Sequence, residues 1–225
     1  MISSPSVLAL DMACGEIAVC VQRGESSFFS SISASSQQGK MRSTVIVPLM
    51  HDVLMQADLS WQDLDALALG AGPGSFTGLR IAAATLAGIN SGLQLPIMHL
   101  SSLAITARQS EITSNDLLWV LQDARAGEVF VGQYQQNQNK QADICLSWSD
   151  VEAIPAGNFC CHGEPPLDMD GWTRVPLSLQ RSAALALEVG SFCESADALS
   201  KLSALPVYPA ALYLQLSQAE RHAYG

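Results

Sequence analysis

The sequence predicts an α/β protein made of two lobes that share one plan. A short apolar strand ending in Asp, a turn containing Gly and a second apolar strand occur around Asp11 and again around Asp123. Such self-similarity, at a distance of about 110 residues, indicates a repeated unit. Strand and helix patterns alternate after the first hairpin. We therefore assign an N-terminal lobe to residues 1–100 and a C-terminal lobe to residues 101–225.

The elements of both lobes follow from their hydrophobic patterns. Short apolar runs predict strands over 7–10, 17–21, 28–32, 64–69, 95–100, 117–122, 129–134 and 159–163. Apolar residues that recur on one face predict helices over 43–56, 76–91, 101–108 and 182–192, and residues 211–222 have helical composition. The Ser- and Gln-rich stretch 33–40 indicates a loop.

Composition narrows the classes of function. Of the 225 residues, 48% are apolar and 14% are charged, which excludes a disordered chain. The N-terminus lacks the basic and long apolar regions of a signal peptide, so a cytoplasmic protein with no membrane contact is expected. The net charge is −10, and the Lys and Arg residues are spread singly along the chain. If the protein acts on a nucleic acid, a partner protein is therefore expected to bind that nucleic acid. The six cysteines are scattered and predict reduced core thiols.

The most informative stretch is the glycine-dense turn from Gly70 to Arg80, which joins a buried-strand pattern to a small-residue helix. Its glycines do not match the spacing of a Walker loop, a dinucleotide fingerprint or a nucleophile elbow. Two interpretations stay open. The turn holds an anion at the helix N-terminus, or it is a tight connection, with Ser75 or Thr77 as N-cap, that lets two backbones touch. The second interpretation is favoured.

The helix after this turn carries many small side chains, namely Ala82, Ala83, Ala84, Ala87, Gly88, Ser91 and Gly92. Small contact residues let a neighbouring helix approach closely. That neighbour is either the predicted helix 43–56 of the same chain or an equivalent helix pair of another subunit. An outward apolar stripe would favour the subunit interface.

Few residues form a catalytic pattern. Asp11 and Asp123 end strands before Gly-bearing turns, where a carboxylate either holds a metal-bound nucleotide or caps the turn, and capping is the favoured interpretation. Arg125 and Glu128 are interpreted as a surface pair. The four histidines lack metal-binding spacing, and Cys160 with His162 is a weak nucleophile and base pattern.

The motifs together resemble the bacterial TsaB (YeaZ-like) family of tRNA threonylcarbamoyladenosine biosynthesis proteins. The resemblance rests on Leu8–Asp11, Leu64–Ile81, Ser101–Leu103, Asp123–Val129 and Pro206–Tyr208, and the segment Gly-Ala-Gly-Pro-Gly-Ser-Phe-Thr-Gly is its most specific part. It implies a two-lobed actin-like and sugar-kinase-like fold. It also implies a non-catalytic paralogue of the TsaD transferase subunit, with no catalytic, cofactor-binding or metal-binding residues of its own.

The resemblance implies partners as well. The chain would pair with a TsaD-like transferase subunit through its N-lobe helices, form a homodimer by the same surface and join a TsaE-like ATPase, with tRNA contacted only indirectly. The expected interface residues are Ile46, Leu49, Met50, Val53, Leu79, Ala83, Leu86 and Ala87. The expected structural turn residues are Gly72, Pro73, Gly74, Ser75 and Gly78.

Some positions depart from the family pattern. Arg42 and Ala71 stand where members commonly carry His and Arg, and Pro209-Ala210 stands where they carry a Leu-Arg pair. Asp11-Met12-Ala13 also lacks the glycine that phosphate-binding members of the wider fold place two residues after the Asp. A rival hypothesis is a stand-alone small kinase, ATPase or metallopeptidase-like enzyme of the same fold. The absent H-x-x-x-H pair argues against the peptidase, and the altered Asp11 turn argues against the kinase.

Overall fold

The structure, a computed structural model, describes residues 4–33, 42–110, 112, 115–195 and 197–214. Most of the predicted loop 33–40 and of the predicted terminal helix 211–222 lies outside the described residues. Residues 211–214 are described, and they are not helical. The boundary between lobes at residues 100 and 101 stays a prediction.

Ten strands of the described part of the chain form two five-stranded sheets. The first sheet contains β1 (Ser6–Asp11), β2 (Glu16–Arg23), β3 (Ser26–Ser33), β4 (Ala66–Gly72) and β5 (Ile97–Ser101). The second contains β6 (Leu118–Arg125), β7 (Glu128–Gln135), β8 (Gln138–Ser147), β9 (Asn158–Cys161) and β10 (Thr173–Arg174).

The two sheets have the same topology. The first has the strand order β3-β2-β1-β4-β5 and the second β8-β7-β6-β9-β10, so β6 to β10 take the places of β1 to β5. In each sheet the first three strands run antiparallel and the last two run parallel to the first. The repeat seen in the sequence is therefore a repeat of whole sheets.

Six α-helices accompany the sheets among the described residues, together with a short 3-10 helix at Trp61–Asp63. They are α1 (Arg42–Gln56), α2 (Phe76–Leu93), α3 (Ser102–Gln109), α4 (Trp148–Val151), α5 (Arg181–Cys193) and α6 (Ala198–Ser203). Pro48 lies inside α1. Ser75 is the N-cap of α2, and its hydroxyl accepts a hydrogen bond from the Gly78 N–H at 3.3 Å.

The inner strands of the first sheet are buried on both faces, and the two faces differ in side-chain size. Large residues of β1, such as Leu8 and Leu10, face α1 and α2. The alternate residues Val7 and Ala9 face α5, whose Ala184 belongs to the same core cluster. Side chains alternate along a strand, so this pattern of two apolar sets predicts a strand covered on both sides. Helix α5 thus links the second half of the chain to the first sheet.

Candidate functional site

A buried ion pair joins the end of the first strand to the start of α5. The Arg181 Nε donates to Asp11 Oδ2 at 2.6 Å, and both side chains are fully buried. Ser102 at the start of α3 donates its hydroxyl to the other carboxylate oxygen at 2.9 Å. A side chain at Gly70 would overlap the Asp11 carboxylate, so only glycine fits beside it. The carboxylate is therefore held by three elements at once.

The other donors of the Arg181 guanidinium are also bonded. They reach Thr106 Oγ1 at 2.9 Å, Gln109 Oε1 at 3.1 Å and the Ser102 carbonyl oxygen at 3.1 Å. His162 follows β9, and its Nε2 lies 3.1 Å from Gln109 Oε1. We call Asp11, Ser102, Thr106, Gln109, His162 and Arg181 the Asp11 network. A buried ion pair is stable only when its remaining donors and acceptors are bonded, and this one meets that condition.

The titratable groups around the network are held neutral. Burial and the positive charge of Arg181 together lower the pKa of His162 to about 4, against a smaller opposing effect of Asp11. Burial raises the pKa of Cys14 to about 11 and that of Cys160 to about 12. A thiol with such a pKa is protonated at neutral pH and is a poor nucleophile. His162 is bonded to Gln109, so no Cys160–His162 hydrogen bond is found in the structure.

The acidic turn of the second lobe forms no cluster with Asp11. Asp123 is exposed, and its Oδ1 accepts a hydrogen bond from the Arg125 backbone N–H at 3.1 Å. Arg125 has φ of 65°, as a turn residue does. Asp123 thus caps its turn, as the favoured interpretation holds. Asp11 does so only weakly, with 3.4 Å to the Ala13 N–H, because its main partner is Arg181.

The glycine turn brings backbones into contact. The Ser75 N–H donates to the Ala13 carbonyl oxygen at 2.8 Å. A Cβ at Gly74 would lie 2.6 Å from the Ala13 Cβ, and one at Gly78 would lie 2.1 Å from the Met12 carbonyl oxygen. Both contacts are shorter than atoms tolerate. The structure therefore supports the tight connection, in which the turn seats α2 against the β1–β2 hairpin.

The remaining turn residues face the other side of this connection. Gly72 has φ of 112°, and a Cβ on it would lie 2.7 Å from the Leu212 carbonyl oxygen. The Leu212 N–H in turn donates to the Ala71 carbonyl oxygen at 2.6 Å. Pro73 is buried and follows a cis peptide bond. The chain near residue 212 is thus packed directly on the turn.

Most of the predicted interface residues belong to the core of the chain. Ile46, Leu49, Met50, Val53, Leu79 and Leu86 are at most 8% exposed, and all except Leu79 lie in one cluster against the first sheet. They cannot contact a partner, so their assignment as interface residues is corrected. Burying a large apolar side chain stabilises the fold by about 1.5–3 kcal/mol, so the large residues of the two helices pack against the sheet.

Ala83 is half-buried and Ala87 is exposed. They lie on the side of the helix pair that faces away from the sheet. We call the outer face the set formed by Val47, His51 and Met55 of α1 and Ala84, Ala87, Gly88, Ser91 and Gly92 of α2. The other exposed residues of these helices are Ser43, Thr44, Pro48, Asp52, Gln56, Thr77 and Arg80. A Cβ on Gly88 or Gly92 would meet no atom within 4 Å.

Asp143, on β8, was not expected as part of any polar cluster. Its Oδ1 accepts a hydrogen bond from the Tyr134 hydroxyl at 3.0 Å, and its Oδ2 accepts one from Ser101. Ser101 also caps α3 through the Leu103 and Ala104 N–H groups. Burial raises the pKa of Asp143, and its hydroxyl donors oppose that rise. The cluster ties β8 of the second sheet to the end of β5.

Arg181 is the residue of the site that the sequence pattern did not reveal. The helix pattern begins at Ser182, and a single Arg ahead of it is usually a solvated side chain. Among the described residues, no group of three or more His, Cys, Asp or Glu could hold a metal ion. In the same part of the chain, no helix is long and apolar enough to cross a bilayer.

Comparison with known sequences identifies related proteins. The family model described as TsaD, tRNA N6-adenosine threonylcarbamoyltransferase, matches residues 36–150. The tRNA threonylcarbamoyladenosine biosynthesis protein TsaB of Escherichia coli is 41% identical over 96 residues, which is 42% of this chain and 41% of that protein. The TsaB of Buchnera aphidicola from Schizaphis graminum is 30% identical over 136 residues, covering 60% and 62%. The chain thus spans two fifths to three fifths of these relatives.

Comparison with solved structures extends the likeness to the whole fold. YeaZ from Pseudomonas aeruginosa superposes with a TM-score of 0.72 at 23% identity, over 93% of this chain and 100% of that chain. A second P. aeruginosa structure, described as similar to the peptidase YeaZ, gives a TM-score of 0.63 at 25% identity over 94% and 100%. These matches confirm a two-lobed α/β fold shared with YeaZ.

Proposed function

Since the chain belongs to the TsaB (YeaZ) family of tRNA threonylcarbamoyladenosine biosynthesis proteins, we propose that it is a non-catalytic subunit for this tRNA modification. It acts in the cytoplasm by pairing with a TsaD-like transferase subunit and activating it. The observation that carries the proposal is the outer face of α1 and α2, which is open and made largely of small side chains.

The shape and chemistry of the outer face suit a helix pair of a partner. On α2 the exposed side has Ala, Gly and Ser at positions 84, 87, 88, 91 and 92, so a second helix can approach its backbone closely. Val47 is 44% and Met55 64% exposed on the adjacent α1, and they supply apolar area at the edge. Exposed apolar side chains that lie beside a smooth helical surface are typical of an interface.

The interior supports a subunit without its own chemistry. Asp11 is the carboxylate best placed for a nucleotide-bound metal, and its oxygens already accept from Arg181, Ser102 and the Ala13 N–H. A competing ligand would have to break the Asp11 network. The same outer face would serve a homodimer in the absence of the transferase, and a TsaE-like ATPase would join the pair. The net charge of −10 makes direct tRNA binding unfavourable, so tRNA would be held by the partners.

The pairing is tested with Ala87→Arg. Ala87 is exposed, so the variant should keep the thermal stability of the wild type while a bulky charge blocks close helix packing. We expect binding to a purified TsaD-like subunit, measured by calorimetry, to weaken at least about tenfold. Ala142→Arg, at an exposed alanine of β8, is the matched control and should bind as the wild type does. Equal affinity of the two variants would contradict pairing through this face.

The non-catalytic role is tested separately. Purified protein alone should show no ATP turnover above a buffer blank, and transferase activity on tRNA should rise when the chain is added. Sustained hydrolysis that disappears in a folded Asp11→Asn variant would instead establish an enzyme of the kinase or ATPase type.

A further inference from the structure

The segment Pro206–Leu214, which we call the strap, runs back from the second half of the chain onto the first sheet. It contains no regular secondary structure. Several hydrogen bonds hold it, among them Ile97 N–H to the Pro206 carbonyl (2.7 Å), Asn90 Nδ2 to the Val207 carbonyl (2.7 Å), Ala210 N–H to His99 Nε2 (2.8 Å) and Leu212 N–H to the Ala71 carbonyl (2.6 Å). The strap thus connects the edge strand β5 to the glycine turn.

The bond to His99 sets the protonation state of that ring. Nε2 accepts a hydrogen from the Ala210 N–H, so it must carry a free lone pair. The ring proton therefore sits on Nδ1, and the ring also bonds to the Tyr208 backbone. A neutral imidazole can make both bonds. A protonated one has no acceptor, and its Nε2–H would face the Ala210 N–H.

The end of the strap lies on the first turn of α2. Tyr213 packs on Phe76 with ring centroids 4.8 Å apart, and the Arg80 guanidinium carbon lies 4.0 Å from the Phe76 ring centroid. The Leu212 carbonyl fills the space beside Gly72, where a Cβ would be 2.7 Å away. The strap therefore packs against the turn that seats α2, the helix that supplies most of the outer face.

We propose that the strap holds the start of α2 in place and that His99 clasps it only as a neutral ring, so that protonation of His99 breaks this one bond and loosens the strap. Its effect on the partner rests on the proposed function, because a loosened first turn of α2 would weaken pairing through the outer face. The clasp itself is a property of this chain alone.

No carboxylate among the residues of the adjoining elements bonds to the ring. Strand β4 has no titratable side chain. Those on the other nearby elements are Arg80 of α2, Tyr208 and Tyr213 of the strap, Arg108 of α3, and Lys140, Asp143 and Cys145 of β8. Arg80 lies over Phe76, Arg108 pairs with Glu188, and Asp143 bonds to Ser101 and Tyr134. His99 is exposed at the surface, and partial desolvation lowers its pKa, which the bond to Tyr208 opposes only in part.

The direction of the pH effect follows from that lowered pKa. The unfolded chain, or a free strap, binds a proton near the ordinary pKa of about 6.5, whereas the clasped ring binds one only at lower pH. The clasp is therefore fully present above about pH 6.5 and weakens as pH falls below it.

Hydrogen exchange of the full-length protein tests the clasp. In His99→Phe an aromatic ring stays and the acceptor is lost, so we expect protection of the strap amides to fall at least about tenfold at pH 7.5, with α5 unchanged. His51→Phe, at an exposed histidine of α1, is the matched control and should leave the strap protected. In the wild type, strap protection corrected for intrinsic exchange should fall relative to α5 between pH 7.5 and 5.5.

Unchanged strap protection in His99→Phe, or in the wild type on acidification, would overturn the proposal. If His99→Phe does not fold, nitrogen-15 NMR of the wild type decides: Nδ1 protonation at pH 7.5 supports the clasp, and Nε2 protonation refutes it. Pairing with a TsaD-like subunit is measured apart from this. Loss of strap protection without loss of pairing refutes the coupling to the partner, whereas a wild type that never pairs refutes the proposed function and leaves the clasp standing.

Discussion

Replacement of Arg181 by Met should destabilise the protein strongly. The substitution leaves the Asp11 carboxylate buried without its cation, and it also removes the donors that serve Thr106, Gln109 and the Ser102 carbonyl. Breaking a buried pair by removing one partner costs about 3–5 kcal/mol. For a chain of this size, one kcal/mol shifts the melting temperature by about 2–4 °C, so we expect a loss of about 10 °C.

The pair can be separated from general damage by a double-mutant cycle. Urea unfolding followed by the fluorescence of the four tryptophans gives the free energy of unfolding. Asp11→Asn combined with Arg181→Met removes both charges, so the double variant should lose at least about 2 kcal/mol less than the sum of the single losses.

An exposed ion pair provides the comparison. Arg174 bonds to Glu164 at 2.7 Å, but their side chains are 40% and 83% exposed, so Arg174→Met should cost less than about 1 kcal/mol. If Arg181→Met costs no more than Arg174→Met, or if the losses at Asp11 and Arg181 simply add, then the buried network does not hold the lobes together and our reasoning fails.

Two further predictions concern the glycine turn and His162. Gly78→Ala should lower the free energy of unfolding by at least about 2 kcal/mol, because its Cβ would lie 2.1 Å from the Met12 carbonyl oxygen. Gly88→Ala, in open space on the same helix, should raise the free energy of unfolding by about 0.5–1 kcal/mol. Thermal melts in which both variants shift alike would contradict this. Because burial and the positive charge of Arg181 lower the pKa of His162 to about 4 from about 6.5, wild-type stability should fall by about 2 kcal/mol between pH 7 and 5, and His162→Gln should lose most of that dependence in urea titrations at the two pH values.

The elements with strong hydrophobic patterns are predictable from the sequence, and those without are not. The hairpin β1–β2, the strand β4 and the helix α2 all lie near their predicted ranges, because their side chains are buried and their periods are clear. Strand β8 is mostly exposed and carries polar residues on both faces, so no period marks it. The strap consists of single side-chain and backbone bonds to distant residues, and such contacts leave no local pattern.

The prediction of interface residues on α1 and α2 chose mostly the buried side of these helices, and this has a physical reason. The pattern of α2 gives a face with large apolar residues and a face of small residues, and it does not say which face a partner would take. The first sheet buries Ile46, Met50 and Leu86, because large side chains gain most from leaving water. The small residues Ala84, Ala87, Gly88, Ser91 and Gly92 of α2 stay exposed. A sequence with this division therefore predicts an interface on the smaller side chains.

The same constraint explains why Arg181 could not be found. Its partners Asp11, Ser102 and Gln109 lie 170, 79 and 72 residues away in the chain, and the pairing depends on two lobes and a helix meeting at one point. Periodicity reports only the local face of an element. A lone Arg ahead of an apolar helix looks like a solvated residue until the fold places a carboxylate beside it.

This placement has a consequence for ligands. A nucleotide entering beside Asp11 would have to separate a fully bonded buried pair, and a penalty of about 4 kcal/mol weakens binding roughly a thousandfold. A micromolar site would become a millimolar one. On the outer face of α2 no such network has to be broken, since Gly88 and Gly92 face open space. Binding at the Asp11 network is thus costly, whereas binding at the outer face is not. We infer that the chain acts through its surface.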